Sequence, residues 1–217
     1  MGIIKKPKIL LAIINNRDTW PEYFASSMIS IYRYCIRRDI EVDLRIFKAN
    51  DVNHMRNNAC RWAMGFNPEK VKYTHLIQFD TDHTYPSDMV KKLISWNKDF
   101  VCGCTNQKTH PFMPTQYKKF KDDEFKNKNN RCFFDKSEGL QEIGSSGVVG
   151  ALIKVSILEK LKYPYFNLIY KDEISVVGGD IYFCKQLKKN KIKIYCDTSL
   201  SYPHQVDLFT DRKELVL

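Results

Sequence analysis

Glycine and proline are scarce in this chain, nine and eight among 217 residues, and nothing repeats at the period of a solenoid. Collagen-like, low-complexity and intrinsically disordered organisations each need a bias that is missing here. Long hydrophobic runs are missing too. The strongest, Ile9 to Ile14, falls far short of the roughly 20 apolar residues of a membrane-spanning helix. The opening Met1-Gly-Ile-Ile-Lys-Lys-Pro-Lys8 has neither an apolar signal core with a cleavage site nor a Ser or Thr at its sixth position for myristoylation, so a cytoplasmic chain is expected. Cysteines 35, 60, 102, 104, 132, 184 and 196 form an odd, scattered set without a C-x-x-C pair, which favours reduced thiols over a disulfide framework. Cys102-x-Cys104 with His110 nearby is half of a zinc site, and buried thiols on a strand are the simpler reading.

What remains is a soluble composition, 43% apolar and 13% aromatic, in a length that suits one domain over residues 1–217. Lys and Arg outnumber Asp and Glu by 35 to 25, and the net charge of +10 gives a field that favours anionic partners. Much of the excess lies between Lys118 and Lys136 and at lysines 185, 188, 189, 191 and 193, where a solvated face is the ordinary explanation.

Lys8 to Ile14 reads as a buried strand ended by the polar Asn15-Asn16-Arg17-Asp18. After Pro21, a favoured first helical residue, Phe24, Met28, Ile31 and Cys35 recur at helical spacing. Glu41 to Phe47 alternates like a half-buried strand, and Asp51 to Met64 puts Met55, Ala59, Trp62 and Ala63 on one helical face. His75 to Phe79 is the next strand, Pro86 to Trp96 a helix and Phe100 to Cys104 another strand. This alternation implies an α/β domain with a mainly parallel sheet flanked by helices. Beyond Thr105 follows a lysine-rich insertion in which Tyr117, Phe125 and Phe133-Phe134 suit short antiparallel pieces. Glu142 to Lys154 reads as one glycine-punctuated strand followed by a helix through Leu161. Asp180 to Lys189 reads as a helix, Ile192 to Cys196 as the last strand and Ser199 to Leu217 as a tail.

The residues richest in chemistry are Phe79-Asp80-Thr81-Asp82-His83, where an apolar strand stops. Ligands of open α/β sheets bind beyond the carboxyl ends of strands, and side chains at i and i+2 share a face, so Asp80 and Asp82 can approach one object. A divalent hard cation is the natural object, because adjacent carboxylates repel unless neutralised. A solvated turn opened by Asp is the plain alternative. Val176-Val-Gly-Gly-Asp180 places a further carboxylate at a helix N-terminus behind two glycines, where the alternative is an ordinary N-cap. His204 follows the last strand in a Ser-Tyr-Pro-His turn.

The order of strand, D-x-D, helix, insertion, glycine-rich strand, G-D helix, strand and His resembles the nucleotide-sugar glycosyltransferases of the GT-A, Rossmann-like fold. The likeness is greatest to inverting family 2 enzymes and their small phage- or virus-encoded versions, and covers about Lys8 to His204. It implies a nucleotide-binding half over about residues 1–104 and an acceptor-binding half over about 105–217. It implies a transfer from a nucleoside-diphosphate donor, a UDP-sugar, to a hydroxyl of a glycan, a glycoprotein or a modified base in DNA, in the cytoplasm or, for a viral chain, in the host cytoplasm. By the same resemblance Asp80, Asp82 and His204 would hold Mn2+ or Mg2+, Asp180 would be the catalytic base, and Asn15, Arg56, Asn57, Asp80, Thr81 and Asp82 would bind the nucleotide sugar. The family's E-D motif here reads Gly179-Asp180, so its first acid is absent. The glycine usual between the last helix and strand is Asn190, which can still take a left-handed cap conformation.

Two other classes remain in view. Asp80-Thr-Asp82-His-Thr84 also looks like the D-x-D-x-T of haloacid-dehalogenase phosphatases, although that motif follows the first strand and is usually continued by Gly, whereas two β-α units precede it here. A basic nucleic-acid-binding module using Tyr117, Phe120 and Phe125 is the third, without a helix-turn-helix, zinc-finger or RNA-recognition signature behind it.

Overall fold

The computed structural model describes residues 6–15, 19–108, 112–118, 130–170 and 176–205. Strand β1 (Lys8–Ile14) is apolar and buried from Ile9 onward because both its faces are covered. Leu10, Ala12 and Ile14 enter one core cluster, and Ile9, Leu11 and Ile13 enter the other. Helix α1 (Glu22–Arg37) supplies Phe24, Met28, Ile31 and Cys35 to the second cluster, as their spacing requires. Strand β2 (Glu41–Phe47) and helix α2 (Val52–Ala63) follow. Asp51 caps α2 by accepting from His54 N–H at 2.8 Å. Strand β3 (His75–Asp80), helix α3 (Met89–Ser95) and strand β4 (Phe100–Cys104) complete the expected alternation, α3 starting three residues later than Pro86. The remaining elements are β5 (Leu140–Ile143), β6 (Leu152–Lys154), the single turn α4 (Val155–Leu158), the small hairpin β7 (Ile169–Tyr170) and β8 (Val176–Val177), α5 (Gly179–Lys189) and β9 (Ile194–Ser201).

Seven strands form one sheet in the order β2-β1-β3-β6-β4-β9-β5. β2, β1, β3, β4 and β9 run one way, while β6 and β5 run against their neighbours. Helices α2, α4 and α5 pack on one face, and α1 and α3 on the other. Residues after 104 are thus woven into the same sheet as the opening residues, with β6 inserted between β3 and β4. No helix among the described residues is long and apolar enough to cross a membrane.

Four expectations are corrected. Glu142 to Lys154 is not one strand: it breaks at Gly144 to Ala151 into β5 and β6, which occupy different places in the sheet. The helix after it ends at Leu158, and the last strand runs past Cys196 to Ser201 because Cys102 and Gly103 of β4 pair with Cys196 and Asp197. The left-handed residue after α5 is Lys191 (φ 58°), not Asn190. Of the insertion, Tyr117 bridges antiparallel to both Arg131 and Ser145. His110, Phe120, Phe125 and the tail beyond 205 lie outside the described residues. All seven cysteines are free, and six are buried.

The break at Gly144 to Ala151 has a packing reason. Tyr202 is buried between the backbones of Gly103 and Gly150, and its hydroxyl donates to Gly150 C=O at 3.3 Å. A Cβ at Gly103 would lie 2.5 Å from the ring and one at Gly150 2.6 Å, with Gly150 at φ +62° besides. Gly103→Ala should therefore lower stability by about 1–3 kcal/mol, read as a lower denaturation midpoint at unchanged slope. Gly178→Ala, whose methyl meets open space, should change it little. Equal midpoints for the two variants would show that Tyr202 is not wedged.

Candidate active site at the carboxyl ends of the strands

β1, β3, β4 and β9 finish on the same edge of the sheet, with Asp80 closing β3. Gln78 and Asp80, two residues apart, face α2 and meet Arg56. That guanidinium is 4% exposed. Its Nη1 donates to Gln78 Oε1 at 3.1 Å, and its Nη2 donates to both Asp80 oxygens at 3.0 and 2.8 Å. Its Nε stands 3.6 Å from Asp180 Oδ1. Burial opposes the charge on Arg56, but Asp80 and Asp180 outweigh it and raise its pKa. Asp80 is itself raised above the ordinary carboxylate value, by burial and by the neighbouring Asp180 and Asp82, with Arg56 pulling the other way.

The backbone of the D-x-D turn is clamped by Tyr85, whose Oη accepts from Asp80 N–H at 3.1 Å and donates to Asp80 C=O at 2.9 Å. Burial pushes this phenol well above its usual pKa, so the donating proton is retained. Asp82 then turns away from Asp80. Its Oδ1 meets His83 Nδ1 at 2.8 Å and its Oδ2 meets His204 Nε2 at 3.0 Å. Burial alone would raise the Asp82 carboxyl, but the hydrogen bonds from His83 and His204 win and hold it well below the usual range. The two imidazoles stack with centroids 4.1 Å apart. Backbone bonds from Thr84 N–H to Pro203 C=O (3.1 Å) and from Gln205 N–H to Asp82 C=O (2.7 Å) bring the segment after β9 back onto the turn.

Asp82, His83 and His204 offer ligand atoms within 4.8 Å of one another. The 3.0 Å between Asp82 Oδ2 and His204 Nε2 equals the spacing of neighbouring ligands on a cation with bonds of about 2.1 Å at right angles. His204 Nδ1 donates to Asn106 C=O at 3.2 Å, so a metal would take Nε2 in place of the proton that Nε2 shares with Asp82. A carboxylate with imidazole suits a borderline divalent ion. Asp80 is not among these three, since both its oxygens already accept from Arg56.

A cavity of about 410 Å³ is walled by Arg56, Asp80, Thr115, Arg131, Gly147 and Asp180 among others, and Asp80, two residues before Asp82, links it to this cluster. A larger groove of about 830 Å³ lies along β2, and its two carboxylates, Asp43 and Glu69, are half-exposed and paired separately with Lys8 and Arg45, whereas Asp80 and Asp180 share one buried guanidinium. Chemistry, not volume, selects the smaller one. Asp180 stands in the first turn of α5. Gly178, not Asp180, is the N-cap, and Asp180 is turned to Arg56 and to Gly147, where an added Cβ would meet its Oδ2 at 3.6 Å. A Cβ at Gly179 would fall 1.8 Å from Asn53 Oδ1. The Asn53 amide of α2 thus occupies the space that any side chain at 179 would need.

Of the sequence-derived residues, Arg56, Asp80 and Asp180 meet in one charge cluster, and Asp82 and His204 meet in another. Asn57 does not point into the cavity: it donates to Phe166 C=O at 2.8 Å and accepts from Tyr165 and Phe166 N–H at 2.8 and 3.0 Å. Asn15 is buried after β1, its N–H bonded to Phe47 C=O at 3.2 Å. Thr81 is half-buried in the turn. Gln78, Tyr85, Asn53 and Arg131 escaped sequence reasoning. Only Gln78 left a signal, as the one amide in the apolar strand before Asp80.

Removing Arg56 tests the first cluster. Arg56→Met leaves a buried carboxylate without its counter-charge, an expected loss of about 3–5 kcal/mol near neutral pH. With Arg56 gone, the folded-state pKa of Asp80 rises further above its unfolded value. The native state then holds the proton more tightly, so the variant should recover stability as pH falls towards the unfolded carboxylate value near ~4. Denaturant melts of both proteins from pH 7 to 4.5 check this, and a difference that stays constant with pH contradicts it.

No protein-family model matches the sequence, and no curated protein matches it. Among solved structures the chain is similar to GalNAc-T7 in a crystal structure with UDP, GalNAc and Mn2+, at 10% identity and a TM-score of 0.57, over 97% of this chain and 46% of that one. It therefore spans less than half of that structure's length. Looser likenesses are to TarS 1-349 of S. aureus in complex with UDP-GlcNAc (TM-score 0.49, 10% identity, 97% and 61% covered) and to the inositol-1-phosphate CTP transferase of T. maritima (0.44, 8%, 97% and 94%). Sheet order, flanking helices and the GalNAc-T7 likeness together give this chain a GT-A fold.

Proposed function

We propose that the chain is a metal-dependent glycosyltransferase that moves a sugar from a UDP-sugar to a hydroxyl acceptor with inversion at the anomeric carbon. The observation that carries this reading is the arrangement of a divalent-cation donor set, Asp82 and His204, and a separate carboxylate, Asp180, on either side of the Arg56–Asp80 pair. The fold shared with GalNAc-T7, which holds UDP and Mn2+ in its crystal structure, supports it.

Asp82 and His204 would hold Mn2+ or Mg2+, with the hydrogen bond to Asn106 fixing the tautomer of His204. When bound, the ion supplies Lewis-acid stabilisation of charge on a leaving diphosphate. Asp80 and Thr81 form the donor side of the turn, and Arg56 holds Asp80 in place. Asn15 and Asn57 serve the nucleotide-binding half from within the scaffold. Arg56 also engages Oδ1 of Asp180, which leaves Oδ2 directed at Gly147 and the cavity to take the proton of the acceptor hydroxyl. The acceptor on this reading is a glycan, a glycoprotein or a modified base in DNA. A phosphatase with Asp80 as nucleophile is disfavoured, because both oxygens of that carboxylate accept from one guanidinium.

UDP should raise the melting temperature only when Mn2+ or Mg2+ is present, and Asp82→Ala should abolish that dependence. A full UDP shift in excess chelator would refute the reading. Asp180→Asn should keep the UDP and metal shift while transfer falls by about 10²- to 10⁴-fold. Normal turnover in that variant, or a product that retains the donor's anomeric configuration, would remove Asp180 from the role of base.

A further inference from the structure

β2 is the outermost strand of the sheet, and among the described residues nothing pairs with its free side. The direction of its backbone groups follows from one bond. Phe47 C=O accepts from Asn15 N–H, so the odd residues of β2 point their peptide groups at β1. Val42, Leu44 and Ile46 therefore present theirs outward. This edge carries neither Pro nor Lys, the usual guards of a free strand.

The outward residues are also self-complementary. In an antiparallel pair with a two-fold axis at Leu44, each strand sets Leu44 against Leu44 of the copy and Val42 against Ile46. Both are outward positions, so each such pair exchanges its N–H and C=O groups. On the opposite face the same register sets Asp43 against Arg45 in both directions, which replaces like-charge repulsion by attraction. A two-fold perpendicular to the sheet keeps both α1 helices on one side. The exposed stripe Ile29, Tyr32 and Ile36 of α1 runs beside this edge, and Ile29 and Tyr32 line the 830 Å³ groove together with Val42 and Leu44.

We infer that the β2 edge and the outer face of α1 form an isologous interface with a second copy of this chain, joining two sheets into one through an antiparallel β2 pair centred on Leu44. The free edge supplies the hydrogen bonds, the Asp43–Arg45 cross-pairing fixes the register, and the α1 stripe supplies the apolar surface that a strand pair alone lacks.

Analytical ultracentrifugation of the full chain between about 1 and 100 μM should show a monomer–dimer equilibrium. Ile46 is 46% exposed, so Ile46→Lys should fold normally, while an ammonium placed against Val42 of the copy weakens association more than about tenfold. Leu44→Cys should form an intermolecular disulfide with oxidised glutathione, since facing residues of a hydrogen-bonded pair lie about 5.5 Å apart, within disulfide range. A wild-type monomer at all concentrations overturns the inference. So does a dimer that Ile46→Lys leaves intact, or one in which Leu44→Cys stays reduced. Species larger than a dimer would indicate head-to-tail pairing with the other free edge, β5, and would overturn it too.

Discussion

One buried guanidinium organises the carboxyl-end edge of the sheet. Arg56 leaves α2, crosses to Gln78 and Asp80 on β3 and reaches Asp180 on α5, so three elements far apart in sequence converge on one charge. A cation this deeply enclosed is stable only with its hydrogen bonds made and its counter-charges present. The strand end, the amide before it and the first turn of α5 are therefore mutually fixed. Asp80 gives both its oxygens to that network, whereas Asp82 points away towards two histidines, and on the proposed reading it is Asp82 that binds the cation.

The second constraint is close approach of backbones. Gly179 lies so near Asn53 that no side chain fits there, and the amide of α2 occupies what an acid at 179 would otherwise fill. Gly103 and Gly150 do the same for Tyr202, which in turn packs against Tyr85, the residue that clamps the D-x-D turn.

The alternating first half was legible because burial on both faces of β1 and on one face of α1 and α2 forces periodic apolar residues. The segment from Leu140 to Ala151 was not, because Gly150 packs against Tyr202 and Gly147 against Thr115 and Asp180, interrupting a strand that composition alone makes continuous. β7 and β8 are two residues each, too short to leave a period. At the site, charged residues that begin or end regular elements were readable: Asp80, Asp180 and Arg56 all stand at such places or beside a motif. That Arg56 engages both oxygens of Asp80 while Asp82 turns to the histidines was not readable, since it depends on contacts across the fold. Asn57 was misleading for the same reason, its three bonds going to a backbone 108 and 109 residues away.

Charge accounting links these features to the proposed chemistry. Arg56 and Arg131 balance Asp80 and Asp180 around the cavity, so that wall is close to neutral as it stands. Asp82 adds a carboxylate at the neighbouring cluster, held ionised by its histidines. A divalent cation held by Asp82 and His204 would leave that cluster with excess positive charge, which a diphosphate would offset, so on this reading donor and metal are bound as one unit. The asymmetry within the Arg56 network then separates the two halves of the reaction. Asp80, doubly engaged, stays as structure on the donor side, whereas Asp180, engaged through one oxygen, keeps the other directed at the cavity for the acceptor's proton.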